Sequence, residues 1–152
     1  MGHQDQRMHR RDGTVDATTT ALEAASVQIA QLTVGFAELT ASAGSQAFPF
    51  AAALPAGAAI LGVGLDVTAG FVDAGVGVFT ADLGIDGGDA DAYLDGADIA
   101  AIAKVDSPRG VSGNGLAGAK TPELLILADV NVDTATAGEV TAQIYYVDTA
   151  LL

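Results

Sequence analysis

A chain of 152 residues with net charge −13 and no cysteine fits one domain, or one domain with a tail, built without disulfides or thiolate metal ligands. Residues 1–12 carry three Arg against Asp5 and Asp12, so residues 13–152 hold three basic against seventeen acidic side chains, a balance of −14. A body this acidic repels phosphate backbones, which argues against nucleic acid as a partner; it also suits high salt, although the codon bias of a GC-rich genome would give the same composition.

The start, MGHQDQRMHRRDG, lacks the apolar stretch of a secretory signal. Residues 1–14 read as a disordered basic leader in which Arg7, Arg10 and Arg11 are candidate partner-binding residues. Three Arg in a terminal tail are ordinarily just solvated chain. Residues 15–32 place Leu22, Ala25, Ile29 and Leu32 at helical spacing. The Thr run and Val27 suit an extended arm lying on a neighbouring subunit equally well. The expected organisation is therefore an N-terminal arm, residues 1–31, helical or extended, followed by a body at 32–152.

From Leu32 the hydrophobic period becomes two, through Val34 and Phe36, and Gly44 and Ser45 mark a turn. A second strand is expected over Gln46–Ala53, ended by the Leu54-Pro55-Ala56-Gly57 turn, in which Pro presets φ. In the next strand, Ala58–Thr68, the side chains of Leu61, Val63, Leu65 and Val67 are expected to look into the core. Residues 48–65 carry no charge, yet Pro49, Pro55 and Gly57 break them where a spanning helix should be regular, so no membrane span is expected. Phe79, Ala81, Leu83 and Ile85 share a face of a further strand over 76–85. Residues 104–119 read as a long surface loop with room for a short strand. The chain closes with strands over 123–132 and 139–147; in the last, Val140, Ala142, Ile144 and Tyr146 alternate with polar neighbours. Six or seven short strands with turn signals between them predict an all-β chain, an antiparallel β-sandwich of jelly-roll or Ig-like type.

Catalytic chemistry has little to work with. Cysteine is absent and both His residues sit in the leader, so no Ser-His or Cys-His pair can be assembled in the body. Nothing matches a phosphate-binding loop or a dinucleotide fingerprint. A two-carboxylate hydrolase would lack the aromatic platform that sugar sites use. No enzymatic activity and no cofactor are expected.

The stretch Asp82–Ile102 concentrates acid. Asp86, Asp89, Asp91 and Asp95 in a Gly-rich turn are candidate Ca²⁺ ligands, since Ca²⁺ takes six to eight oxygens. Their spacing fails the EF-hand pattern, and two carboxylates about 8 Å apart in water repel by only roughly 0.5 kcal/mol, so a solvated turn needs no metal. The turn leads into residues 90–103, where Tyr93 and Leu94 are the expected anchors. With Ala97 and Ala101 they would form a lid over the end of the sandwich, a crossover between its two halves.

Three pieces in order, LPAGAAILGVGLDVT (54–68), DADAYLDGADIAA (89–101) and TAGEVTAQIYYVD (136–148), resemble small β-sandwich virion proteins of tailed phages and related archaeal viruses, which decorate the capsid or form its surface fibres. The likeness covers about residues 32–147. It implies a structural protein on the capsid surface of the virion, made in the host cytoplasm. It further implies a homotrimer whose partner is the major capsid protein, a cement function carried by the N-terminal arm and a sandwich edge, and no catalytic residues. A host-recognition, receptor-binding module of a head or tail fibre is the alternative, with residues 86–98 and 104–119 as contact loops. A calcium-stabilised adhesion domain is a third.

Overall fold

The structure is a computed structural model that describes residues 26–41, 44–107, 116–117 and 120–149. Among these residues nine strands form two antiparallel sheets. The first contains β1 (Gln28–Gly35), β9 (Ala137–Asp148), β3 (Ala58–Val72) and β6 (Ala103–Ser107) in that spatial order, with the two-residue β7 (Leu116–Ala117) also paired to β3. The second runs β2 (Ser45–Pro49), β8 (Pro122–Ala128), β4 (Phe79–Ile85), β5 (Leu94–Asp98).

This order has a simple origin. The pairs β4·β5, β3·β6, β2·β8 and β1·β9 are those of one long hairpin folded at residues 86–93. Wrapping that ribbon on itself creates two further contacts, β3·β9 and β4·β8, and closes a sandwich. Eight strands alternating between sheets in this way make a jelly roll rather than an Ig-like arrangement. The acidic stretch is the tip of the folded ribbon. Beyond it the chain passes from β5, an edge of the second sheet, to β6, an edge of the first, through residues 99–102.

The strands form where the period of two was expected, with local departures. Val140, Ala142 and Ile144 are fully buried on β9, as are Phe79, Ala81 and Leu83 on β4. The Pro55 turn closes with the Ala58 N–H donating to the Pro55 carbonyl at 3.0 Å, and Gly57 takes φ +88° there. On β3 the expected inward face is corrected at Leu61, which is 46% exposed while Ile60 and Val63 are buried. The register against β9 shifts between Ile60 and Gly62. One extra residue in a bulge exchanges inside for outside on one side of it.

The helical alternative for residues 15–32 fails over its described part, since residues 28–32 are extended and pair with β9. β1 thus begins inside the segment expected to be an arm; residues 1–25 lie outside the described residues. Residues 94–98 form a strand in place of the expected lid, so Ala97 is buried and Ala101 exposed. The short strand allowed for within residues 104–119 is found at residues 104–107, which with Ala103 pair with β3. The strands expected over 46–53 and 123–132 stop at Pro49 and Ala128.

The core lies between the two inner faces. Val34, Val63, Leu65, Val67, Val140 and Ile144 meet Leu83, Leu124 and Ile126 there, with Ala81 and Ala142 fully buried between larger neighbours. Small side chains at those positions let the sheets approach. Phe71 and Phe79 close one end with ring centroids 5.7 Å apart. Each large apolar side chain sealed in this way contributes about 1.5–3 kcal/mol. Among the described residues no helix is long and apolar enough to cross a membrane.

Candidate functional site

The wrapped ribbon gives the sandwich two chemically different ends. The β1–β2, β3–β4, β5–β6 and β8–β9 connections gather at one; the β2–β3 and β4–β5 connections and the approach to β8 gather at the other. Five large apolar side chains are exposed at the first end: Phe36, Val72, Val78, Val130 and Ile102, the last 76% exposed. Each lies in or beside one of its four connections.

Carboxylates hold those connections in place. Glu38 accepts the Gly35 N–H at 2.7 Å, Asp98 accepts the Ala100 N–H at 2.9 Å, and Asp129 accepts from Gly77 at 3.0 Å and from Val78 at 3.3 Å. Asp73, 6% exposed, accepts the N–H groups of Gly75 (2.8 Å) and Thr134 (2.6 Å) together with the Thr134 hydroxyl (3.3 Å). The Gly75 bond leads in holding the Asp73 carboxyl below the usual carboxylate range; desolvation opposes it and the Thr134 bonds add to it. Glu38, Asp98 and Asp129 are exposed and keep their charge while they hold these backbone amides. The connections are therefore held in place, and their exposed apolar side chains stand among exposed carboxylates.

The opposite end carries the tip of the ribbon. Ile85 N–H donates to Asp89 O at 2.8 Å, Asp86 N–H to Thr121 O at 2.9 Å and Tyr93 N–H to Leu83 O at 2.9 Å. Gly84 lies so close beneath the backbone of Asp89 and Ala90 that a Cβ there would collide with it. Tyr93 and Leu94 are both buried, and burial pushes the Tyr93 phenol up. On β8, Glu123 is buried in register with Gly84 and Pro49. Desolvation, then the charge of Asp86, raises its carboxyl.

Of the candidate cation ligands, Asp89 and Asp91 meet side chain to side chain, and that hydrogen bond, ahead of desolvation, raises Asp89. Asp82, which accepts the Gly96 N–H at 2.7 Å, is raised by desolvation, with the charges of Asp95 and Asp91 adding. Asp86 and Asp95 are exposed on the tip and on β5. Among the described residues no group of three or more His, Cys, Asp or Glu is placed to hold a metal ion. Arg7, Arg10 and Arg11 lie outside the described residues.

Sequence reading missed the apolar end, because its five members are scattered from residue 36 to residue 130 and only the wrapping collects them. One signal was available: Val78 and Ile102 sit beside turn residues, where an apolar side chain has no strand face to turn inward.

The fold now has a counterpart among solved structures. Over 97% of its length the chain is similar to a chain in the cyanophage Pam1 capsid asymmetric unit, 99% of which is covered, with a TM-score of 0.58 and 20% identity. The likeness is one of fold. No family model and no curated protein matches the chain.

Proposed function

We propose that this chain is a structural protein of a virion, a decoration or cement protein that sits on the capsid surface and binds the major capsid protein. The observation that carries this reading is the end-to-end likeness of fold to a capsid component. The apolar end supports it: Phe36, Val72, Val78, Ile102 and Val130 stand on connections pinned by Glu38, Asp73, Asp98 and Asp129. A protein built for binding at many equivalent sites gains from such preorganisation, since little ordering cost remains on docking. The acid-rich surface keeps crowded copies soluble. The reading assigns the chain no catalysis, and residues 1–25 a supporting role in anchoring.

The test uses capsids that lack the protein. Wild type, a Val78→Asp/Ile102→Asp variant and a variant without residues 1–25 are titrated onto them. The double variant is expected to bind at least tenfold more weakly, a loss of about 1.4 kcal/mol or more. Undiminished binding by the double variant removes the apolar end from the interface, and undiminished binding by the shortened chain removes the arm. Failure of the wild type to bind capsids removes the reading itself.

A further inference from the structure

Among the described residues, the strands at the four sheet edges differ in charge. β5 carries Asp95 and Asp98, and β6 carries Lys104 and Asp106, whereas β1 (QIAQLTVG) and β2 (SQAFP) carry none. Sheet edges that face water are ordinarily blunted by charge, proline or a bulge. β2 ends in Pro49. Within its own eight residues β1 has none of these devices, and it pairs with β9 in unbroken register from Gln28↔Tyr146 to Gly35↔Glu139; the Glu38 carboxylate blunts only its Gly35 end.

The direction of the β1 backbone can be read from Gly35. Its N–H donates to the Glu38 carboxylate and so points away from β9. In an antiparallel ladder, alternate residues turn both N–H and C=O to the same side. Ile29, Gln31 and Thr33 therefore present theirs outward. Among the described residues no strand lies there to receive them. Glu38 closes this row at Gly35, leaving a short open segment centred on Gln31.

We propose that β1 pairs antiparallel with β1 of a second copy of this chain, about a two-fold axis at Gln31, so that the first sheets of the two copies become one continuous sheet. A second copy is the occupant because it presents the same open, uncharged edge, and charge decides where the two copies meet. A partner that itself carries −13 is repelled by most of this surface, and it approaches most cheaply where acid is missing from both molecules. The other edges of such a copy fit less well, since β2 is shorter and ends in Pro49 while β5 and β6 are charged.

The pairing is self-complementary, as a two-fold contact requires. Gln31 faces Gln31, Ile29 faces Thr33, and the outward N–H and C=O groups of all three find partners. Ala30 and Leu32, half-buried on the inner side of β1, gain cover from the same residues of the other copy. This goes beyond the capsid reading and does not depend on it. It also gives the copies an axis other than the threefold that the family resemblance implies.

The experiment measures the mass of the purified full chain in solution, by light scattering or sedimentation, together with amide hydrogen exchange. A dimer is expected, with the amides of Ile29, Gln31 and Thr33 protected and that protection falling on dilution. Gln31→Pro removes an N–H that the β9 ladder does not use, and Gln31→Lys leaves the backbone intact but sets two like charges face to face. Each is expected to weaken dimerisation at least tenfold while keeping the wild-type circular dichroism; should the Pro variant misfold, the Lys variant decides. A wild type that is monomeric, an oligomer of any order that survives Gln31→Lys, or amides whose protection does not change on dilution overturns the proposal.

Discussion

The Asp73 carboxylate accepts the backbone N–H of Thr134 at 2.6 Å, joining two connections that are 61 residues apart in sequence. That bond, with those to Gly75 and to the Thr134 hydroxyl, ties the β3–β4 turn to the β8–β9 turn. Asp73→Ala is expected to lower the melting temperature and to speed amide exchange at Gly75 and Thr134 more than in the strands. Asp73→Asn, which keeps an acceptor oxygen, should lie between the two. Equal exchange in all three proteins would show that the carboxylate does not hold the turns.

Stability should peak on the acid side of neutrality. Glu123 and Asp82 are raised chiefly by desolvation, and Asp89 chiefly by its hydrogen bond to Asp91. A raised carboxyl holds its proton more tightly when folded, so its contribution grows as pH falls through the raised folded pKa and is complete below the ordinary unfolded value near about 4. Asp73, which is lowered, behaves oppositely: its stabilisation is present above that ordinary value and is lost as pH falls through the lowered one. Denaturant midpoints are therefore expected to rise as pH falls from neutrality toward the ordinary carboxylate value of about 4, and to fall again below it. A midpoint that falls steadily from neutrality would contradict the assignment.

Gly84→Ala tests how tightly the ribbon tip is folded back. The new methyl meets the backbone of Asp89 and Ala90, so the tip must move. Overpacking of this kind costs about 1–3 kcal/mol. Chemical denaturation reads the cost, and a change below about 0.5 kcal/mol would mean the tip stands clear of the sheet.

Two leucines on β3 separate the bulged strand from a regular one. By simple alternation Leu61 and Leu65 share the inner face, yet Leu61 is 46% exposed and Leu65 only 1%. Leu65→Ala is expected to cost about 2–5 kcal/mol and Leu61→Ala no more than about 0.5 kcal/mol. Similar losses at the two positions would deny the bulge.

Those leucines also show where sequence reading stops. Alternation along β4 and β9 is legible because one inner face is buried without interruption, and Phe79, Leu83, Val140 and Ile144 carry it on the page. A bulge leaves no such mark in β3, since Ile60, Leu61 and Val63 are all apolar and any of them could face inward. β1 was obscured for a related reason: Ile29 and Leu32 share a helical spacing with Leu22 and Ala25, and only pairing with β9 makes residues 28–32 a strand. The acidic tip was conspicuous as a motif, yet Asp89 and Asp91 pair with each other, Asp82 is engaged by the Gly96 N–H, and among the described residues no three carboxylates converge.

Composition and periodicity by themselves determined the class of fold and the acidic body, because each depends on residue content and on neighbours within a few residues. The tertiary structure alone decided the jelly-roll order, the gathering of Phe36, Val72, Val78, Ile102 and Val130 at one end, and the open uncharged edge at β1. All three arise from pairings such as β3·β9 and β1·β9, between strands far apart in sequence. A local pattern records which face of a strand is buried, but not which strand covers it.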